Sequence, residues 1–293
     1  MPGYHLPYFT AAATGIYERH GISVEIVDPA PGPANARAVA YGRYDFCLTS
    51  VAHFLHARAD EPELPAKFVF MVARRPHMSA FVVEGRAIES FHDLDGAAVL
   101  GEAESPFVRE YLALLRHLDA EPGELIEVPY EDVFEALVQG RGDVAADFVD
   151  LRPRFDAVAA PRGERIRALP FFAAGIDIYG SGLVTSQRMI DERPADVAAT
   201  VRAVHDALLA TRESPATGLD ALAERFDDVD RRRAVEGWTA GAALIFGEDG
   251  DLGAMDAEVW QRTLAYHAAT HGTPELEPSA VFEPGFLPVR AAG

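Results

Sequence analysis

Cysteine and lysine are almost absent from this chain of 293 residues, which has one of each, Cys47 and Lys67. A single cysteine excludes an internal disulfide bond and any metal site built from several thiolates. Cys47 lies inside the apolar stretch DFCLT with no cation beside it in the sequence, so we expect a buried and unreactive thiol.

The chain also lacks long apolar runs and an excess of positive charge. No stretch approaches the roughly 18 apolar residues of a membrane-spanning helix, and no signal-peptide pattern is visible at the start. The formal net charge is -20, from 46 acidic and 26 basic residues. Such a surface repels nucleic acids and anionic lipids, so both classes of partner are excluded.

What the chain does contain is typical of a globular protein with two domains: 49% hydrophobic and 25% charged residues. Alternating or apolar segments predict strands at 22–28, 44–50, 67–73 and 79–85. Segments with helical spacing lie before and among them, at 5–20, 36–42 and 51–59. This succession favours an α/β fold.

One pattern occurs twice. AVAYGRYDFCLTS (38–50) and ALVQGRGDVAADFVD (136–150) both contain a helix, a glycine, an aspartate and a strand, in that order. The repetition indicates the same supersecondary unit in each of two lobes. After residue 180 the pattern changes to amphipathic helices at 195–214, 218–226 and 256–272.

Four segments together resemble the NMT1/THI5-like family of substrate-binding proteins, which includes binders of sulfonates, taurine and pyrimidine precursors. The segments are HLPYFTAAATGIYERHGISVEIVD (5–28), AVAYGRYDFCLTS (38–50), IESFHDLDGAAVLG (88–101) and EALVQGRGDVAADF (135–148). Each is short, but their order and spacing along one chain make the match specific. The resemblance extends over residues 5–240.

The resemblance implies a two-lobed periplasmic-binding fold of type II, with a doubly wound, mostly parallel sheet and flanking helices in each lobe. Lobe 1 would comprise residues 1–84 and 181–293, and lobe 2 residues 85–180. The implied function is that of a monomeric solute-binding protein. It would close on a heteroaromatic or sulfonate-like molecule and deliver it to the permease of an ABC importer, with no cofactor, metal or catalytic residue.

In this family a strand precedes the first helix, and its end lines the ligand cleft. Here the chain opens with MPGYHLPYF, so we expect residues 1–8 to form the ligand loop and the strand before it to be truncated. A truncated start would place the protein outside the cytoplasm, in the periplasm or on the cell surface. If Met1 is the true start, a cytoplasmic location is expected.

Candidate ligand contacts follow from the fold. Ligands bind at the carboxyl ends of strands, where helix N-termini offer unpaired N–H groups. The residues at such positions are Tyr4, His5, Tyr8, Thr49, Ser50, Glu104, Ser105, Asp147, Asp150 and Tyr179. The aromatic rings would enclose a flat ligand, the hydroxyls would bind its polar atoms, and the aspartates would hold an amine or ring N–H.

Several of these assignments have a structural alternative. Ser50 and Ser105 are also good helix caps, and Asp147 can pair with a nearby arginine. Tyr179 stands where the chain would cross back between the lobes, either in the cleft wall or at a hinge with Gly180.

A cytosolic enzyme on the same fold is the second interpretation. Relatives of the fold include a pyrimidine synthase with pyridoxal phosphate and a cysteine-rich motif, and desulfinases with a catalytic cysteine. This chain has no cysteine cluster, and Lys67 precedes a strand instead of following one. The pairs His53/His56 and His267/His271 have helical spacing but no evident carboxylate partner, so we expect no metal site.

Overall fold

The computed structural model describes residues 5–27, 32–226, 229–246 and 252–287, and its strands form two sheets. The strands are β1 (Phe46–Ser50), β2 (Ala66–Ala73), β3 (Met78–Val83), β4 (Val99–Gly101), β5 (Leu125–Glu127), β6 (Val144–Phe148), β7 (Ile166–Pro170) and β8 (Ser181–Ser186).

Twelve α-helices surround these sheets in the described part of the chain. They are α1 (Leu6–Ala13), α2 (Ile16–Arg19), α3 (Ala34–Ala40), α4 (Val51–Asp60), α5 (Pro106–His117), α6 (Val133–Val138), α7 (Arg152–Ala159), α8 (Gln187–Glu192), α9 (Pro194–Glu213), α10 (Leu219–Arg225), α11 (Arg231–Ile245) and α12 (Ala257–His271). The helix predicted over 5–20 is divided in two because Gly15 adopts a left-handed conformation, with φ of 67°.

The two sheets belong to two lobes. In lobe 1 the strand order is β1-β8-β2, and β8 runs antiparallel to both neighbours. In lobe 2 the order is β5-β4-β6-β3-β7, with β4 parallel to β5 and β6 and with β3 antiparallel to β6 and β7. The α/β succession is confirmed.

Two details of the prediction are wrong. Four of the six strand pairings are antiparallel, because β3 and β8 each follow a crossing between lobes and so start where the other strands end. The predicted boundary at residue 84 is also late. β3 already pairs with β6 and β7, so the first crossing lies between β2 and β3.

The strand predicted at 22–28 is absent from the described residues of that segment. Residues 22–27 have no regular secondary structure, and no described strand lies beside them to complete a ladder. A strand depends on a neighbouring strand as much as on its own alternation of polar and apolar residues. The alternation alone was therefore not enough to predict a strand here. Elements that the sequence did not predict also form, among them β7, α7 and α11.

The crossings between the lobes pack side by side. The backbone N–H of Gly180 donates to the carbonyl of Ala73 at 3.0 Å. A Cβ atom on Gly180 would lie 2.3 Å from the carbonyl oxygen of Arg75, so only glycine permits this approach. Helices α11 and α12 also contact lobe 2: α11 packs on α7, and Arg116 on α5 donates to the Thr270 carbonyl at 2.7 Å.

No helix in the described ranges is both long and apolar enough to cross a membrane.

Candidate functional site

The crossings bring the ends of β1 and β6 close to the starts of β8 and β3. Ser50, the last residue of β1, is the register partner of Ser181, the first residue of β8. Met78 at the start of β3 is likewise opposite Phe148 at the end of β6. One strand end from each lobe therefore lies next to the crossings, where the sequence argument placed a ligand.

Two partly buried imidazoles lie at this junction. The Nε2 atom of His77, on the first crossing, lies 2.9 Å from the Ser181 hydroxyl. Burial lowers the pKa of His77 to about 4, and the nearby charge of His5 adds to the shift. Burial likewise lowers the pKa of His5 to about 4. Both rings are therefore neutral near pH 7, and each offers one donor and one acceptor nitrogen.

An aromatic cluster continues from His77 into lobe 2. The ring of Phe148 lies 6.1 Å from the His77 ring and 5.4 Å from Phe107 in an edge-to-face arrangement. Phe107 in turn stacks on Tyr130 with centroids 5.4 Å apart and planes 15° apart. This row of rings provides apolar walls of the kind that enclose flat ligands.

Asp147 supplies the carboxyl group next to these rings. Its side chain is 1% exposed and accepts hydrogen bonds from the Tyr130 hydroxyl at 3.1 Å and the Phe148 N–H at 2.7 Å. Burial raises the pKa of Asp147 to about 7, despite these two bonds. Near neutral pH the group is thus present both as an acid that can donate and as a carboxylate that can accept.

Asp150 lies one short turn further along the chain, beneath α11. A Cβ atom on Gly241 of α11 would lie 3.6 Å from the Asp150 Cβ atom. Burial raises the pKa of Asp150 to about 6. The second aspartate is therefore covered by a helix that packs across the lobes.

The predicted serines both cap helices. The Ser50 hydroxyl accepts from the His53 N–H at 3.1 Å, and the Ser105 hydroxyl accepts from the Val108 N–H at 3.2 Å. Helices α4 and α5, one from each lobe, therefore begin at the strand ends that lead into the junction. Thr49 is buried and is the register partner of Gly182 in β8.

Three of the predicted residues lie elsewhere in the described part of the chain. Tyr179 is in the core of lobe 1, 5.2 Å from the Trp260 ring, and its hydroxyl accepts from the Asp256 N–H at 2.6 Å. The Glu104 side chain is 94% exposed beside Arg109. Tyr8 lines a groove of lobe 1, whereas Tyr4 lies outside the described residues. We therefore exclude Tyr179 and Glu104 from the candidate site.

His77, Ser181, Phe107, Tyr130 and Phe148 were not singled out from the sequence. The sequence prediction considered only the carboxyl ends of strands. His77 and Ser181 instead lie just before, or at the start of, a strand that follows a crossing. For Ser181 the available signal was its position at a predicted lobe boundary, whereas the boundary near His77 was predicted seven residues too late to point to it. Phe107 and Phe148 lie within two residues of Ser105 and Asp147 in the sequence, whereas Tyr130 is near no predicted residue, and only the folded chain brings the three rings together.

A second polar cluster joins three helices beside the site. His56 of α4 and His271 of α12 have ring centroids 5.8 Å apart, and the His267 ring lies 5.1 Å from His271. Nε2 of His271 lies 3.4 Å from Oε2 of Glu110 on α5. Glu110 is the carboxylate partner that the sequence did not reveal. Even so, no three such side chains in the described ranges are arranged to hold a metal ion.

Opposing effects set the charge of this cluster. Burial raises the pKa of Glu110, but the contact with His271 and the charges of His267 and His56 outweigh burial and lower it. Burial lowers the pKa of His267 to about 4. The cluster therefore holds an ionised carboxylate among imidazoles, where elements of both lobes meet.

The lone cysteine does not belong to the site. Cys47 is buried in β1, and burial raises the pKa of its thiol to about 12. Since the thiolate is the nucleophilic form, the thiol is inert at neutral pH.

The two lobes joined by paired crossings form a periplasmic-binding architecture, and comparison with known proteins agrees. A family model described as NMT1/THI5 like matches residues 3–217, so the chain belongs to this family. The 4-amino-5-hydroxymethyl-2-methylpyrimidine phosphate synthase of Schizosaccharomyces pombe is 32% identical over 97 residues. That match spans 33% of this chain and 27% of the synthase, well under two thirds of its length.

Solved structures match along nearly the whole chain. The periplasmic aliphatic sulphonate binding protein SsuA from Escherichia coli has a TM-score of 0.73 at 17% identity, covering 98% of this chain and 92% of that one. The alkanesulfonate-binding protein SsuA from Xanthomonas axonopodis pv. citri, bound to MOPS, has a TM-score of 0.68 at 16% identity, covering 96% and 95%. The predicted periplasmic-binding fold is thereby confirmed.

Proposed function

We propose that this protein is the solute-binding component of an ABC importer and that it holds a small organic molecule at the junction between its lobes. The observation that carries the proposal is the row of His77, Phe148, Phe107, Tyr130 and Asp147. It combines groups from the first crossing and lobe 2 next to the strand ends of lobe 1. Binding in such a place is coupled to movement of the lobes.

The chemistry of the junction favours a flat, nitrogen-containing heteroaromatic ligand over a sulfonate. Its imidazoles are neutral, and its carboxyl group titrates near pH 7. An ionised Asp147 would repel a sulfonate, whereas a ring N–H or an amine can donate to it. Stacked rings beside it suit a planar ligand.

The remaining parts of the proposal concern assembly. The partner would be the ABC permease, the protein would act as a monomer, and its location would be extracytoplasmic. Lobe 1 would include residues 181–293, although α11 and α12 also contact lobe 2.

Calorimetric titration with two ligand panels tests the function and the ligand class together. Aminopyrimidines and aminopyridines form one panel, and alkanesulfonates, including MOPS, form the other. We expect binding from the first panel, with Asp147→Asn weakening it about tenfold because a charge-assisted hydrogen bond is lost. Asp156→Asn is the matched control, since Asp156 pairs with Arg152 on an exposed surface. Tight sulfonate binding that Asp147→Asn leaves unchanged contradicts the ligand class.

An enzyme is the second candidate, supported by the partial match to the pyrimidine phosphate synthase. His5 and His77 would then act as acid and base, although their low pKa values leave both neutral at pH 7. Incubating each bound compound with the protein and following it by mass spectrometry separates the two functions. Conversion of a bound compound would favour the enzyme, whereas recovery of intact ligand favours the binding protein.

A further inference from the structure

Arg154 of α7 lies next to the candidate site but has no carboxylate partner among the described residues. Its helix follows β6, the strand that ends with Asp147 and Phe148. The side chain is exposed and forms no hydrogen bond or ion pair with the part of the chain that the structure describes. In a chain with 46 acidic and 26 basic residues, an arginine without a paired carboxylate is unexpected.

A second arginine of the same helix provides a contrast. The Nε atom of Arg152 lies 3.3 Å from Oδ2 of Asp156, and one of its terminal nitrogens donates to the Ile166 carbonyl at 3.0 Å. Both arginines are exposed, but within the described ranges only Arg152 has its donors paired. The N–H groups of Arg154 are therefore available to a group from outside the chain.

A phenylalanine ring supports the Arg154 guanidinium. The guanidinium carbon lies 4.6 Å from the centroid of the Phe134 ring. Phe134 is 4% exposed, and its ring packs edge-to-face on Phe155 with centroids 4.4 Å apart. The contact with Arg154 is a cation–π interaction, which does not use the N–H groups of the guanidinium. The cation is thus held over a fixed ring while its planar fork of donors can still bind a planar acceptor.

The Phe134 ring also connects Arg154 to the candidate site. Its centroid lies 6.1 Å from that of Tyr130, and the Tyr130 hydroxyl donates to Asp147 at 3.1 Å. Burial raises the pKa of Asp147 to about 7 and also raises the pKa of Tyr130, and the positive charge of Arg154 opposes both shifts. The site therefore contains a carboxyl group and an unpaired guanidinium, linked through the rings of Tyr130 and Phe134.

We propose that Arg154 determines ligand specificity by binding a carboxylate on a ligand whose ring N–H or amine donates to Asp147. The inference rests on the proposed function, and it narrows the ligand class to nitrogen heteroaromatics that carry an acidic substituent. The two oxygens of a carboxylate match the donor fork of arginine in a bidentate pair. Because an ionised Asp147 repels a second anion, the acidic substituent must extend past Tyr130 toward Phe134.

Calorimetric titration of the full chain with matched compounds tests the inference. The neutral probe is 4-aminopyrimidine, and the acidic probes carry a carboxylate on its carbon 5, attached directly or through a short methylene chain. The titrations are run at pH 8, where Asp147 is mostly ionised with or without the charge of Arg154. We expect at least one acidic probe to bind about tenfold more tightly than 4-aminopyrimidine. Arg154→Gln should remove this gain and leave the affinity for 4-aminopyrimidine within about twofold of that of the unmodified chain.

Arg152→Gln is the matched control, because it removes the same charge from the same helix and should keep the gain from the carboxylate. If no probe binds, neutral or acidic, the proposed ligand class is wrong and the inference fails with it. If 4-aminopyrimidine binds and no acidic probe binds more tightly, the inference alone is overturned. It is also overturned if Arg154→Gln weakens the neutral and acidic probes equally, since Arg154 would then act only through the charge of Asp147.

Discussion

Lobe 2 covers its apolar core more completely than lobe 1 does. Lobe 2 has a five-stranded sheet whose central strands are buried between helices, with Phe81, Phe134 and Phe155 in close contact. Among the described residues lobe 1 has a three-stranded sheet and a groove of about 750 Å³ that reaches its apolar core. The difference teaches that a sheet can be locally well paired and still leave its core partly uncovered.

The largest expected effect compares one phenylalanine from each core. Phe155→Ala in lobe 2 should lower the free energy of unfolding by about 3–5 kcal/mol, because Phe155 is fully buried. Phe226→Ala in lobe 1 should cost about half as much, since Phe226 already borders the groove. Urea unfolding measures both. Equal losses would mean that the groove does not loosen lobe 1.

The second effect concerns the aspartates that lobe 2 contributes. When folding raises the pKa of a carboxyl group, that group stabilises the fold fully at pH values below its pKa in the unfolded chain. This stabilisation is lost as the pH rises through its pKa in the folded protein. The pKa values near 7 for Asp147 and near 6 for Asp150 place this loss between about pH 4 and pH 7. For Asp147 it should be on the order of 2–4 kcal/mol. Asp147→Asn should flatten the pH profile of the melting temperature, whereas an unchanged slope would refute the assignment.

The third effect lies at the contact between lobes. His271→Asn removes the imidazole nearest to Glu110 and should destabilise the fold by about 1–3 kcal/mol at pH 7. Because folding lowers the pKa of Glu110, its ionised carboxylate stabilises the fold at pH values above its pKa of about 4 in the unfolded chain. This stabilisation is lost as the pH falls further. His271→Asn should therefore lose less stability on acidification. His117→Asn, on an exposed contact with the Ala174 carbonyl, is the control and should change little.

The smallest effect compares the two helices that begin at the site. Ser50→Ala and Ser105→Ala each remove a cap and should cost about 1 kcal/mol, whereas glycine at either position should cost a few tenths. Thermal unfolding measures all four variants. A clearly smaller cost at Ser50 would indicate that the looser lobe 1 tolerates an uncapped helix, which would sharpen the contrast between the lobes.

The sequence predicted much of the fold because its signals were local. Helix α5 begins where the cap residue Ser105 predicted a start, and β1 lies within the predicted segment 44–50. The directions of the strands and their pairing partners were harder to predict. Residues 22–27 alternate like a strand but pair with no strand in the described ranges, and β3 joined the other lobe, because pairing depends on the whole chain.

The candidate site was predicted only in part, for a similar reason. His5, Ser50, Ser105 and Asp147 follow from strand ends and helix starts, yet their roles in binding stay a prediction. Tyr179 had the right position in sequence, but its ring packs on Trp260 instead. Contacts such as Tyr130 with Asp147, or His271 with Glu110, join distant segments and leave no mark in the sequence.

The hydrogen bond between Gly180 and Ala73 has a mechanical consequence. Two adjacent chain segments joined by a hydrogen bond bend readily out of their common plane. They resist twisting and sliding along each other. If the lobes move on ligand binding as proposed, these adjacent crossings would favour bending about one axis, and the aromatic row and the strand ends opposite it would approach each other in one alignment.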